Sequence, residues 1–159
     1  MKQAMVLTVL AILSHACTAF SQLKQPDEPG LMFASINVTD IDSSVAWYER
    51  ILLLKTGDRS DYPSLGYRQA NLKNGSVQIE LIQHDSILSR SSVTESYPGK
   101  EIPGITKLGF SVKNFKEWVG HLLMQDASFS GGISADRITG KPVMTIKDPD
   151  GNTIMIFEE

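Results

Sequence analysis

Apolar and polar residues alternate over two stretches of the chain, and each alternation gives way to helical spacing. In FASINVTDIDSSVAWYERILL, from Phe33, residues Ala34, Ile36 and Val38 share one face of an extended segment. In KLGFSVKNFKEWVGHLLMQ, from Lys107, residues Leu108, Phe110 and Val112 do the same. Each alternation ends at a residue suited to start a helix, Asp40 or Asn114. Glu117, three places after Asn114, completes a capping-box arrangement. Beyond the caps, Ile41, Val45, Tyr48 and Leu52 recur at i, i+4, i+7 and i+11, and Phe115, Val119 and Leu122 at i, i+4 and i+7. That spacing predicts two helices, each with one apolar face.

The segments after the two helices match as well. GYRQANLKNGSVQIELIQ predicts two strands around a turn at Asn74-Gly75, and KPVMTIKDPDGNTIMIFEE predicts two around Asp148-Pro149-Asp150-Gly151. A further strand is expected before each pair, near Lys55–Ser60 and Phe129–Arg137. A strand, cap, helix and three strands repeating in register read as two copies of one β-α-β-β-β unit, an α+β architecture. The units are expected at 31–84 and 105–159, joined by a Ser-, Pro- and Gly-rich loop at 85–104 with no clear period. That loop reads as a crossover linker. Residues 22–30 read as a flexible lead-in.

A chain of 159 residues suits one domain of two small modules. The net charge is −3 and no basic run is present, so nucleic acid is not an expected partner. The opening MKQAMVLTVLAILSHACTAFSQ has an early Lys, an apolar run, and Ala19 and Ser21 at −3 and −1 of a cleavage before Gln22. Residues 1–21 therefore read as a secretory signal, which predicts export to a periplasmic or extracellular space and no membrane attachment after cleavage. A retained anchor is the alternative, although the run falls short of the roughly 20 apolar residues a span needs. Cleavage would remove Cys17, leaving no thiol, and would leave His84 and His121 as the histidines. Cysteine catalysis and cysteine-type zinc sites are then excluded.

The two βαβββ units, the Val38-Thr39-Asp40 and Ala46-Trp47-Tyr48 stretches, and the closing Asp148-Pro149-Asp150-Gly151-Asn152 together resemble the vicinal oxygen chelate superfamily. That group includes glyoxalase I, bleomycin-resistance proteins, fosfomycin-resistance proteins and extradiol dioxygenases. The resemblance implies two curved sheets around a cleft, with the helices outside. It also implies one divalent ion in metal-dependent members, held by a His or Gln on each module's first strand and a Glu on each last strand. Homodimers are expected by the same analogy. The alternation then gives the cleft-facing residues: Phe33, Ser35 and Asn37; Gln78, Glu80 and Ile82; Lys107, Gly109, Ser111 and Lys113; Thr153, Met155 and Phe157.

The family's ligand quartet falls on Phe33, Glu80, Lys107 and Met155. Glu80 alone is a normal donor for a hard or borderline ion. Phe donates nothing, a thioether suits copper(I), and an ammonium repels a cation. No cofactor is therefore expected, unless a non-standard site uses Glu80. A rim set of His84, Asp85 and Glu80 is a weaker metal alternative. Glu80 and Lys107 are expected to pair, either as a plain salt bridge or as part of a ligand site with Ser35, Asn37, Gln78 and Ser111. A Lys107 base or nucleophile is a bolder variant. Phe33, Met155 and Phe157 should give the cleft an apolar floor, either a pocket or a filled seam. The leading function is an exported domain that binds a small molecule without the usual metal; whether it also catalyses a reaction, of the glyoxalase or dioxygenase type, is left open by the residues. The alternatives are a metal-dependent lyase, isomerase or dioxygenase with an unusual site, and an envelope interaction module with a filled cleft.

Overall fold

The computed structural model describes residues 33–100 and 104–159. The expected signal segment, 1–21, and lead-in, 22–30, lie outside the described residues. Among the described residues, no helix is long and apolar enough to cross a membrane.

The first module runs β1 (Ala34–Asn37), α1 (Ile41–Leu52), β2 (Lys55–Tyr62), β3 (Tyr67–Asn74) and β4 (Val77–His84). Its sheet has the order β1-β4-β3-β2, with β1 parallel to β4 and the other pairs antiparallel. A short helix, α2 (Arg90–Ser96), lies in the connection. The second module runs β5 (Leu108–Val112), α3 (Phe115–Met124), β6 (Ser128–Phe129), β7 (Ser134–Ala135), β8 (Pro142–Lys147) and β9 (Thr153–Glu158). Its sheet repeats the order, β5-β9-β8-β6, with β5 parallel to β9 and β7 also paired to β8. The α+β class and the duplicated unit are as the pattern predicts.

The helical spacing buries what it should. Ile41, Val45, Tyr48 and Leu52 are all buried, as is Leu122, and Val119 packs against them. They meet the strand residues that alternate inward: Leu72, Ile79 and Leu81 in one sheet, Ile146, Ile154 and Ile156 in the other. These side chains form one continuous core through both modules. The opposite strand faces are left for the cleft.

Three local expectations differ from the outcome. The connection is not all loop: the Ser89 hydroxyl accepts from the Ser92 amide and starts α2, a cap hidden by the run of serines around it. The strand expected over Phe129–Arg137 breaks into β6 and β7, because Gly131 adopts φ 92 between them. Asp136 then turns the chain by accepting from the amides of Ile138 and Thr139. The capping box at α3 is also incomplete. Asn114 Nδ2 donates to Glu117 Oε2 at 3.2 Å, and Asn114 makes no side-chain bond to the helix backbone. Asp40 does cap α1, accepting from the Ser43 amide at 2.8 Å.

The modules are tied together by the turn between β8 and β9. Asp148 is only 5% exposed. Its carboxylate accepts from the amides of Asp150 and Asn152 (3.1 and 2.7 Å), from Asn152 Nδ2 (2.8 Å) and from the Tyr48 hydroxyl (2.9 Å). Gly151 closes the turn at φ 77, its amide donating to the Asp148 carbonyl. Next to this, Asp150 accepts from the amide and hydroxyl of Thr39, just before α1. At the other end of α1, Arg50 donates to the Gln125 carbonyl, and His121 Nε2 lies 3.1 Å from the Ile51 carbonyl. His121 thus packs helix against helix and lies away from the cleft.

Burial, and next the Asp148 charge, push the Tyr48 hydroxyl far above its ordinary pKa, so it stays a donor throughout the working pH range. Tyr48→Phe leaves the Asp148 carboxylate short of one donor in a dry site. Urea denaturation should show a loss of about 1–3 kcal/mol. An unchanged midpoint would mean that the hydroxyl bond carries no stability.

The Asp40 carboxyl is held below its ordinary pKa, first by the Ser43 amide and then by the Ser43 hydroxyl. A lowered folded pKa gives stability that is full above the unfolded value and is lost as pH falls through the folded one. Asp40→Asn keeps a capping oxygen without the charge, so melting curves below about pH 4 should fall less steeply than in the parent. Identical acid slopes would remove Asp40 from the account.

Candidate functional site

The core-facing alternation of the first sheet leaves its other face polar. Parallel pairing sets Ser35 beside Glu80, and antiparallel pairing sets Asn71 on Glu80's other side. The Glu80 carboxylate accepts from Ser35 Oγ at 2.6 Å and from Gln69 Nε2 at 2.7 Å. Gln78 lies on the same face, paired with Lys73. Toward the far end, Tyr67 pairs with His84 and with Tyr62, at ring-centroid distances of 5.6 and 4.9 Å. Gln69, Asn71 and Tyr67 are not among the expected site residues. Their signal is nonetheless present in the chain: Tyr67, Gln69, Asn71 and Lys73 alternate with Arg68, Ala70 and Leu72, and Ala70 and Leu72 are buried.

The second sheet presents a more apolar face. Met155 and Phe157 are half-buried on it, paired with Gly109 and Ser111. A Cβ on Gly109 would stand 3.2 Å from Phe157 Cε1 and 3.8 Å from Met155 Cε. The missing side chain at Gly109 is therefore what lets the Phe157 ring lie across β5. Ser111 is exposed beyond it.

The two ends of the expected quartet are not drawn in. Phe33 is 53% exposed, which removes it from an apolar floor, and Lys107 is exposed as well. The expected Glu80–Lys107 ion pair does not form. Glu80 is instead satisfied by two neutral donors. The Lys107 charge acts on Asp136, whose carboxyl is held low mainly by Thr139's amide and hydroxyl, then by the Ile138 amide, with Lys107 adding to the effect. Ion pairs among the described residues centre on Asp42, which meets Arg59 and Arg68. No three His, Cys, Asp or Glu side chains converge as a metal-binding group among the described residues.

Concave space gathers where the two sheets approach. One cavity of about 410 Å³ is lined by Ser35 and Asn37 of the first sheet, Lys147 and Thr153 of the second, and Arg90 and Ile105 of the connection. A neighbouring cavity of about 430 Å³ shares Asn37, Arg90 and Ile105 and reaches Thr39 and Asp150. Of the nine residues expected to bind ligand, Ser35 and Asn37 line these cavities; Phe33, Gln78, Glu80, Lys107, Ser111, Met155 and Phe157 do not. Arg90 is an addition to the expected set, because its position depends on α2, in a segment whose sequence reads as loop.

A family model described as the glyoxalase/bleomycin resistance protein/dioxygenase superfamily matches residues 30–156. No curated protein matches the chain. The glyoxalase family protein of Enterococcus faecalis is 23% identical, with a TM-score of 0.66, covering 83% of this chain and 98% of that one. A trypanothione-dependent glyoxalase I of Leishmania major is 20% identical, with a TM-score of 0.62, covering 83% and 88%. A glyoxylase/bleomycin resistance protein/dioxygenase domain from Frankia sp. EAN1pec is 21% identical, with a TM-score of 0.62, covering 83% and 93%. At these identities the likeness is one of fold.

The packing of Phe157 over Gly109 gives a direct test of the second face. Gly109→Val should destabilise the domain by about 1–2 kcal/mol, because the ring must leave its place. In a Phe157→Leu background the same substitution should cost clearly less, as read by denaturation in a double-mutant cycle. Equal costs in both backgrounds would refute the contact.

Proposed function

The chain belongs to the glyoxalase/bleomycin resistance protein/dioxygenase superfamily, and on that premise we propose that it is an exported domain that binds a small molecule in its cleft without the family's usual catalytic metal. The observation that carries this reading is the state of Glu80, whose carboxylate is engaged by the Ser35 hydroxyl and the Gln69 amide. At the other three positions of the quartet stand an aromatic ring, an ammonium and a thioether. A catalytic ion needs about three fixed protein donors and an open position, and this set supplies one suitable oxygen donor residue. The residues present do not fit a divalent ion of the hard or borderline kind.

What remains is the usual build of a small-molecule site: an apolar wall with sparse polar anchors. Met155 and Phe157 provide the wall, and Ser35, Asn37, Gln69 and Glu80 provide the anchors. The half-exposed faces, and the two cavities that open at Ser35 and Asn37, favour an open cleft over a filled one. Export rests on the charged start, apolar run and small residues of positions 1–21.

Stripping the purified protein with chelator and adding zinc, nickel, manganese or iron(II) should leave its melting temperature unchanged, because no ion binds the folded state selectively. A stoichiometric divalent ion in the parent protein, lost in Glu80→Gln, would overturn the reading.

A further inference from the structure

Resting on the reading of a metal-free small-molecule domain, we propose that its ligand is a small amphipathic anion, an apolar body bearing a carboxylate, seated with its charge between Arg90 and Lys147 in the 410 Å³ cavity, which shares Ser35 and Asn37 with the anchors named above. The argument begins with the two cations. Lys147 is half-buried, and its Nζ donates to Thr153 Oγ1 at 2.7 Å. Arg90 Nη2 donates to Asn152 Oδ1 at 2.6 Å. Neither has a carboxylate partner among the described residues, and none of the cavity's lining residues is acidic. Asp150 lines the neighbouring cavity and accepts from the Thr39 amide and hydroxyl, and Glu80, beside Ser35, accepts from Ser35 and Gln69. Arg90 is exposed and Lys147 half-buried, and both are bonded to neutral oxygens, so the lining carries two positive charges with no carboxylate among the described residues set against them.

Arg90 is also held in place. Its Cδ lies 3.6 Å from where a Cβ on Gly151 would be, so its stem lies over the bare backbone of the β8–β9 turn. Its head is fixed by Asn152 of the same turn. A guanidinium fixed at stem and head loses less freedom on meeting a carboxylate, and its planar fork suits two oxygens. The same lining includes the apolar residues Ala34, Ile36, Ile105 and Leu108. Asn37 can offer its amide on the first-sheet side, where the Ser35 hydroxyl is already given to Glu80. The volume falls within the range of small-molecule sites. Two cations and four apolar residues in one lining favour an amphipathic anion over a sugar, a polyamine or a bare phosphate.

The test uses 1-naphthoate and its neutral analogue 1-naphthamide, titrated into the purified protein at low ionic strength by calorimetry or ligand-observed NMR. Naphthoate should bind, and naphthamide should bind about tenfold more weakly. Arg90→Met and Lys147→Met should each weaken naphthoate by a similar factor and leave naphthamide unaffected, with melting curves confirming that both variants fold. Added salt should weaken naphthoate alone. Equal binding of acid and amide would sink the anion proposal and leave small-molecule binding standing. No binding of either at millimolar concentration would count against both. Naphthoate binding that survives Arg90→Met and Lys147→Met but disappears in Glu80→Gln would move the ligand to the sheet face and overturn the proposal.

Discussion

A carboxylate taken out of water without a cation to pair with must find its compensation in hydrogen-bond donors, and Asp148 finds four. Three come from its own turn and shape it. The fourth is the Tyr48 hydroxyl, from the helix of the other module. The same charge therefore folds a turn and fastens one half of the domain to the other. Its neighbours depend on it. With the turn in place, Asp150 reaches Thr39, Gly151 lies open beneath Arg90, and Asn152 holds the guanidinium. The seam between the sheets takes its form from this turn more than from any direct pairing of strands.

The cleft chemistry is set by what the sheet faces carry. In the first sheet, Glu80 is held by neutral donors and faces a polar surface. In the second, Gly109 makes room for Phe157, and Met155 adds a soft apolar surface. A scaffold whose relatives include glyoxalases thus presents a polar face, an apolar face and a positively charged join. The charges at the join come from outside the family's usual ligand positions.

The two long helices and the strands β1, β3, β4, β5, β8 and β9 are legible in the chain because each has a clear period and buries one face. The faces of β4 and β9 can be assigned residue by residue, since Ile79, Leu81, Ile154 and Ile156 leave no choice of register. The polar face of β3 is equally periodic, but it lies outside the family's ligand positions, so the resemblance does not point to it. The pairing of Glu80 with Lys107 fails for a different reason. Alternation tells which face a residue is on, but not how far its strand lies from the partner's. Lys107 comes just before β5, at an exposed end, and Glu80 has nearer donors in Ser35 and Gln69. The seam is hidden for a related reason: Arg90 reaches it only through α2, started by one serine among several.

The Tyr48–Asp148 bond spans 100 residues of sequence. During synthesis, α1 emerges long before the turn that accepts its hydroxyl, and until then the hydroxyl can keep its bond only by staying open to water. Early packing of α1 against its own sheet is therefore incomplete by construction. The fold closes cooperatively once the second module arrives, which gives the two copies of the repeated unit a shared fate in place of independent stability.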